Sequence, residues 1–162
     1  MSATGEFGDG SPETACRIRA VKRCPLTNAD RELIRAARGA LRADMNPRRH
    51  GVGCAIRAGS GRVYVGVNVE ACGYGPCAEP IALGAAIASG EKRFVAAVAV
   101  VPKGKGAEVL SPCGNCRQLF LDYAPDAWVI VKDGARVFKA RATDLLPAAY
   151  RSGFAVRKGR RS

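Results

Sequence analysis

The 162-residue sequence has no apolar run long enough to cross a membrane, and its first 15 residues are polar and acidic where a secretory leader would carry an apolar stretch. The expectation is a cytoplasmic protein with no membrane association. Paired cysteines are lacking as well. There are seven, an odd number, which fits free thiols and metal ligands in a reducing compartment better than a disulfide framework. Acidic residues are scarce, 14 Asp+Glu against 26 Lys+Arg, for a net charge of +12. An excess of that size raises the question of nucleic acid. The chain nevertheless lacks the long aromatic and basic segment that would hold a strand, so nucleic acid is not an expected partner. Part of the excess lies in the tail from Arg157 to Arg161. More lies on one helical face, at Arg31, Arg35, Arg38 and Arg42, which reads as a solvated surface.

What is present suits one domain with a proper core, since 48% of residues are hydrophobic. Residues 1 to 25, rich in small and charged residues without apolar period, read as a mobile extension. Residues 26 to 152 form the domain, and 153 to 162 a basic tail. Thr27 and Asp30 announce a helix running to about Asp44, ahead of Pro47. Residues 50 to 56 and 63 to 67 read as a hairpin turning at Gly59-Ser60-Gly61, and Cys77 to Ser89 as a helix with Pro80 in its first turn. The run from Phe94 to Val101 is a buried strand, followed by an exposed loop over 102 to 106. A helix from near Cys113 ends before Pro125. Strands at Trp128 to Val131 and Val137-Phe138, turning at Asp133-Gly134, precede a short helix at Thr143 or Asp144. This alternation predicts an α/β layered domain with a mixed sheet, and Cys54 is the thiol best placed to be buried.

The chemistry concentrates in Gly75-Pro76-Cys77-Ala78-Glu79-Pro80 and Ser111-Pro112-Cys113-Gly114-Asn115-Cys116-Arg117. Three soft thiolates, at Cys77, Cys113 and Cys116, leave a tetrahedral Zn²⁺ one open position. Glu79 stands two residues from its cysteine. It can therefore reach a water in that position without binding the metal, and move its proton. A thioredoxin-like use of Cys113-Gly114-Asn115-Cys116 would leave Cys77-Ala78-Glu79 unexplained, and a structural zinc knot would need Cys72 as fourth ligand. Both ligand groups are expected at helix N-termini, where free N–H groups favour thiolate.

Cys-x-Glu followed by Pro-Cys-x-x-Cys is the signature of zinc nucleobase deaminases. The single histidine, His50, lies far from the ligand position, so the first ligand must be Cys77. At these residues the chain resembles the cytidine deaminase family. The runs GPCAEPIALG, SPCGNCRQLFLDYAPD, VIVKDG and DLLPAAY look most like its blasticidin-S deaminase branch, over about residues 27 to 150. The resemblance implies a three-layer fold with a five-stranded mixed sheet flanked by helices, one Zn²⁺ per chain, and a homotetramer. The implied reaction is hydrolytic deamination of a free cytosine nucleoside, with Glu79 as the proton carrier. Asn68 and Glu70 match the pair that holds the sugar hydroxyl. The backbone of Ala78 would bind the ring carbonyl, and the Ser111 carbonyl would accept from the departing amino group. His50, in His50-Gly51-Val52-Gly53, replaces the family's usual aromatic near the base. Tyr150 matches a residue that closes a neighbour's pocket. Pro80 stands where an arginine often supports the thiolates, which makes Arg117 the nearest cation able to offset their charge.

Overall fold

The computed structural model describes residues 21–42 and 44–150, so the extension up to residue 20 and the tail from residue 151 lie outside the described residues. The first helix, α1 (Asn28–Gly39), is set by its cap. The N–H and hydroxyl of Thr27 both donate to the Asp30 carboxylate, at 2.8 and 2.7 Å, while the Asp30 N–H donates back to the Thr27 hydroxyl. The helix stops short of the expected Asp44. Gly39 is a poor helix former, and beyond it the Leu41 N–H turns tighter, to the Arg38 carbonyl at 3.1 Å. Cys24, inside the segment expected to be an extension, exchanges two 2.9 Å backbone bonds with Lys139.

The strands that follow are β1 (Gly53–Ala58), β2 (Val63–Val67), β3 (Phe94–Lys103), β4 (Gly106–Leu110), β5 (Trp128–Asp133) and β6 (Arg136–Arg141). Five of them form the expected mixed sheet in the order β2-β1-β3-β5-β6. Only β3 and β5 are parallel. A sixth strand, β4, folds back on the far half of β3, where a loop alone was expected over 102 to 106. The Gly104 backbone, at φ 55°, makes that reversal, and Lys103-Gly104-Lys105-Gly106 concealed it because its polar composition also describes a loop.

Alternation along β3 assigns the two faces of the sheet. Ala96, Val98 and Val100 face α1 together with Leu33, Ala37, Ala55 and Ile130. Ala97 faces the other side with Cys54, Ile56 and Val129. That second face is covered by α2 (Ala78–Ala88) and α3 (Gly114–Tyr123), giving helix, sheet and helix layers. The small residues Ala78, Ala82 and Ala86 bring α2 close, and Gly66 of β2 brings it closer. A Cβ on Gly66 would lie 2.5 Å from the Ala82 nitrogen and 2.8 Å from the Ala78 carbonyl oxygen. The first turn of α2 therefore rests directly on the sheet. A 3₁₀ turn (Ala142–Asp144) ends the described elements where a short helix was expected.

Candidate active site

The two β-α transitions on the α2 and α3 face place the sulfur ligands. Cys77 is the N-cap of α2 and Cys113 the N-cap of α3, and neither side chain caps its own helix, so both sulfurs stay available. Cys116 follows in the first turn of α3 and is buried. The Sγ atoms of Cys77 and Cys113 are 3.9 Å apart, and all three sulfurs lie within 4.8 Å of one another. Zn–S bonds of about 2.3 Å in a tetrahedron require sulfurs about 3.8 Å apart, so the donor set fits zinc with little contraction.

Without a cation two of these thiols resist ionisation. Burial pushes Cys116 far up, and the neighbouring Glu79 charge adds to it. Burial likewise raises Cys77. At Cys113 burial acts in the same sense but loses to hydrogen bonds from the Cys116 backbone N–H and thiol, which bring this thiol below its ordinary value. A dication is what lets all three become thiolates together, and its binding must release protons.

Glu79, in the first turn of α2, is 5% exposed. Burial raises its carboxyl above the usual range, and its own backbone N–H and the Cys116 thiol reverse this only in part. A carboxyl raised by burial holds a proton more readily than an exposed one, which suits a group that must take a proton and pass it on. Cys54 of β1 lies behind it, fully buried, its thiol raised by burial and by the Glu79 charge.

A cavity of about 310 Å³ opens over this group. It is lined by Cys77, Cys113 and Glu79 together with Asn68, Glu70, Ala78 and Ser111, so the sequence-derived contacts converge. Asn68 is locked in place. Its Oδ1 accepts from the Val52 N–H at 2.8 Å, and its Nδ2 donates to the Glu70 carboxylate at 3.1 Å and the Arg49 carbonyl at 3.3 Å. Glu70 is thereby held with its second oxygen unclaimed by Asn68. The Ser111 hydroxyl is spent on β5, donating to the Lys132 carbonyl and accepting the Lys132 N–H, so Ser111 offers the cavity its main chain. Ala78, at the first position of α2, has an N–H with no intrahelical acceptor.

The remaining expected contacts lie outside the lining of this cavity. His50 bonds through Nδ1 to the Asn68 carbonyl at 2.9 Å and borders a neighbouring hollow. Tyr150 is 75% exposed, its carbonyl accepting from Gln118. Arg117 donates to the Pro112 and Leu145 carbonyls, at 2.9 and 3.1 Å, so among the described residues its hydrogen bonds go to main chain rather than sulfur. Two apolar walls of the cavity, Val52 and Leu110, were not marked by sequence reasoning. Leu110 immediately precedes Ser111 and stays 41% exposed at a strand end, a signal legible only once β4 is known.

The pattern for the cytidine and deoxycytidylate deaminase zinc-binding region matches residues 27–132, spanning both cysteine groups and Glu79. The chain belongs to this deaminase family. It is a zinc-dependent hydrolase of that family, with Cys77, Cys113 and Cys116 positioned for the metal. Among its deaminase relatives, the blasticidin-S deaminase of Bacillus cereus is 34% identical over 132 residues, covering 77% of this chain and 94% of that protein. A cytidine deaminase of Mycobacterium tuberculosis is 38% identical over 104 residues, covering 63% and 74%. The crystal structure of cytidine deaminase from Burkholderia pseudomallei superposes with a TM-score of 0.63 at 32% identity, covering 77% of this chain and all of that one. The deaminase relatives thus divide between two substrates. Among the described residues no helix is long and apolar enough to cross a membrane.

Proposed function

We propose that this deaminase acts on the cytosine ring of a free nucleoside, cytidine or deoxycytidine, releasing ammonia. The observation that carries the proposal is the confluence of a buried, proton-poised Glu79, a zinc-ready cysteine triad and the Asn68–Glu70 pair in one cavity of about 310 Å³. A nucleoside enters with its sugar toward Glu70, whose carboxylate accepts from a hydroxyl while Asn68 fixes its direction. The Ala78 N–H receives the ring carbonyl, and the Ser111 carbonyl accepts from the amino group. Zinc, when bound by the three cysteines, supplies a Lewis acid that brings the ionisation of water to about pH 7. Glu79 takes the proton as water adds to C4 and returns it to the amino nitrogen. The C4–N bond then breaks to release ammonia, and the proton of the new hydroxyl passes to N3, leaving a ring carbonyl beside an N3–H.

A second reading is deamination of a cytosine nucleoside antibiotic such as blasticidin S. It is favoured by the Bacillus cereus relative and by His50, whose bond to the Asn68 carbonyl sets it beside the sugar end of the cavity. Ammonia release from cytidine, deoxycytidine and blasticidin S, measured in parallel on zinc-loaded protein, separates the two readings. Glu79→Gln should keep fold and zinc while losing about 10²- to 10⁴-fold in rate. Turnover of none of the three by zinc-loaded protein would overturn both.

The active assembly is proposed to be a homotetramer, with Tyr150 reaching a neighbour's cavity. Supporting it, α2 leaves Ile81 and Ile87 exposed on its outer side, and β2 leaves Val63 and Val65 exposed. Light scattering that returned the monomer mass at micromolar concentration would refute this. Three thiol ligands that must stay reduced support a cytoplasmic location.

A further inference from the structure

A larger hollow, about 580 Å³, lies away from the catalytic cavity, where β3 and β5 begin and α3 ends. Ser111, which lines the catalytic cavity, meets β5 at its other end, beside Lys132. Three cations converge on this hollow: Lys92, Arg93 and Arg141. Among the described residues none of them is in an ion pair. The adjacent acid, Glu91, is turned elsewhere, accepting from Ser60, Arg62 and Tyr64. Two of the three cations have contacts with the protein surface. The Arg141 guanidinium carbon lies over the Trp128 ring, 3.9 Å from its centroid, with one nitrogen donating to the Asp126 carbonyl. The Arg93 stem runs across Gly59, where even a Cβ would come within 3.1 Å of it. Stacking on an aromatic face fixes a guanidinium without neutralising it, and a weakly hydrated, oriented fork suits phosphate oxygens.

The rest of the lining has a different character. Tyr123, 55% exposed, and Pro125 add apolar surface where α3 ends, and Asp126, whose main-chain carbonyl Arg141 holds, is the one acid among three cations. The hollow therefore offers both an excess of cations and an exposed ring. We propose that it is a second ligand site, which takes a nucleotide with its phosphates on Arg93, Arg141 and Lys92 and its base against Tyr123. The proposal does not depend on which nucleoside the enzyme deaminates.

Calorimetric titration of the zinc-loaded enzyme with adenosine diphosphate tests it, with adenosine and inorganic phosphate as the two halves of the probe. Adenosine diphosphate should bind at least about tenfold more tightly than either half, and weaken several-fold as salt rises. Arg93→Ala and Arg141→Ala should each weaken it about tenfold, the scale of a charge-assisted hydrogen bond. Should Arg141→Ala unfold by losing its stack on Trp128, Lys92→Ala and Arg93→Ala, both on exposed residues, carry the test alone. Cytidine turnover of these surface variants should be unchanged without nucleotide. Absence of binding at millimolar nucleotide, binding that survives the arginine substitutions, or inorganic phosphate binding as tightly as the diphosphate would each overturn the proposal.

Discussion

Asp30 shows how one side chain serves two elements. Its carboxylate caps α1 through Thr27 and also receives the Lys139 ammonium at 2.7 Å, tying the helix to β6. Burial alone would raise this carboxyl, but the bonds from Lys139 and Thr27 outweigh it and hold it below the usual value of 3.8. A depressed carboxyl contributes stability that is present above its unfolded value and is lost as pH falls through the folded one. Lys139→Met keeps most of the stem but leaves a buried charge unpaired, and should cost about 3 kcal/mol near neutrality. Urea denaturation should show the gap between wild type and variant closing as pH drops below about 4. A gap constant down to pH 2 would mean that Lys139 acts through packing alone. The residues proposed to hold the metal and move the proton were the part of the candidate site most legible in the sequence. Cys77, Glu79, Cys113 and Cys116 are constrained by spacing on two helix starts, and spacing is what a sequence displays. Arg117 was not legible in this way: adjacency to Cys116 says nothing about which of several acceptors a five-donor fork will choose, and here it chose carbonyls.

At the scale of elements, α2 depends on what β2 omits. Gly66→Ala would place a methyl 2.5 Å from the Ala82 nitrogen, and backbone cannot yield as a side-chain tip can. Overpacking of this kind costs about 1–3 kcal/mol, and the displaced first turn carries Glu79 and adjoins Cys77. The variant should melt lower and also lose zinc affinity. Gly84→Ala on the same helix meets nothing within 4 Å and should be neutral or slightly stabilising, which makes it the matched control. Equal melting temperatures for the two variants would show that α2 does not rest on β2 as described. Helices and buried strands were readable because capping, apolar runs and proline all mark them. What escaped was β4: strand pairing between β3 and β4 is a tertiary choice, and a lysine- and glycine-rich reversal looks the same whether or not its arms are hydrogen-bonded.

At the scale of the molecule, much of the positive charge of the described residues outside the hollow of Lys92, Arg93 and Arg141 is engaged in pairs and main-chain contacts. Lys103 and Lys132 share Glu108, Arg42 pairs with Asp44, and Arg38 donates to the carbonyls of Gly106 and Leu41. Of the four arginines expected on a solvated helical face, Arg38 is drawn into contact with main chain, while Arg42 pairs with Asp44 out at the exposed surface. The metal centre adds a constraint of a different kind. Cys77 and Cys113 are 36 positions apart in sequence, on two helices that touch each other little, α2 resting mainly on β1 and β2. An ion gripping both is a cross-link, closing a loop whose entropy, on the scale used for a disulfide of that span, is about 4 kcal/mol. Calorimetry with and without a strong chelator should show the loss as a lowered melting temperature, and an unchanged melt on full zinc removal would contradict it. The same knot that performs chemistry then also governs survival. An enzyme starved of zinc would fall idle and become easier for proteases to clear, so the cell's metal supply would set its amount together with its activity.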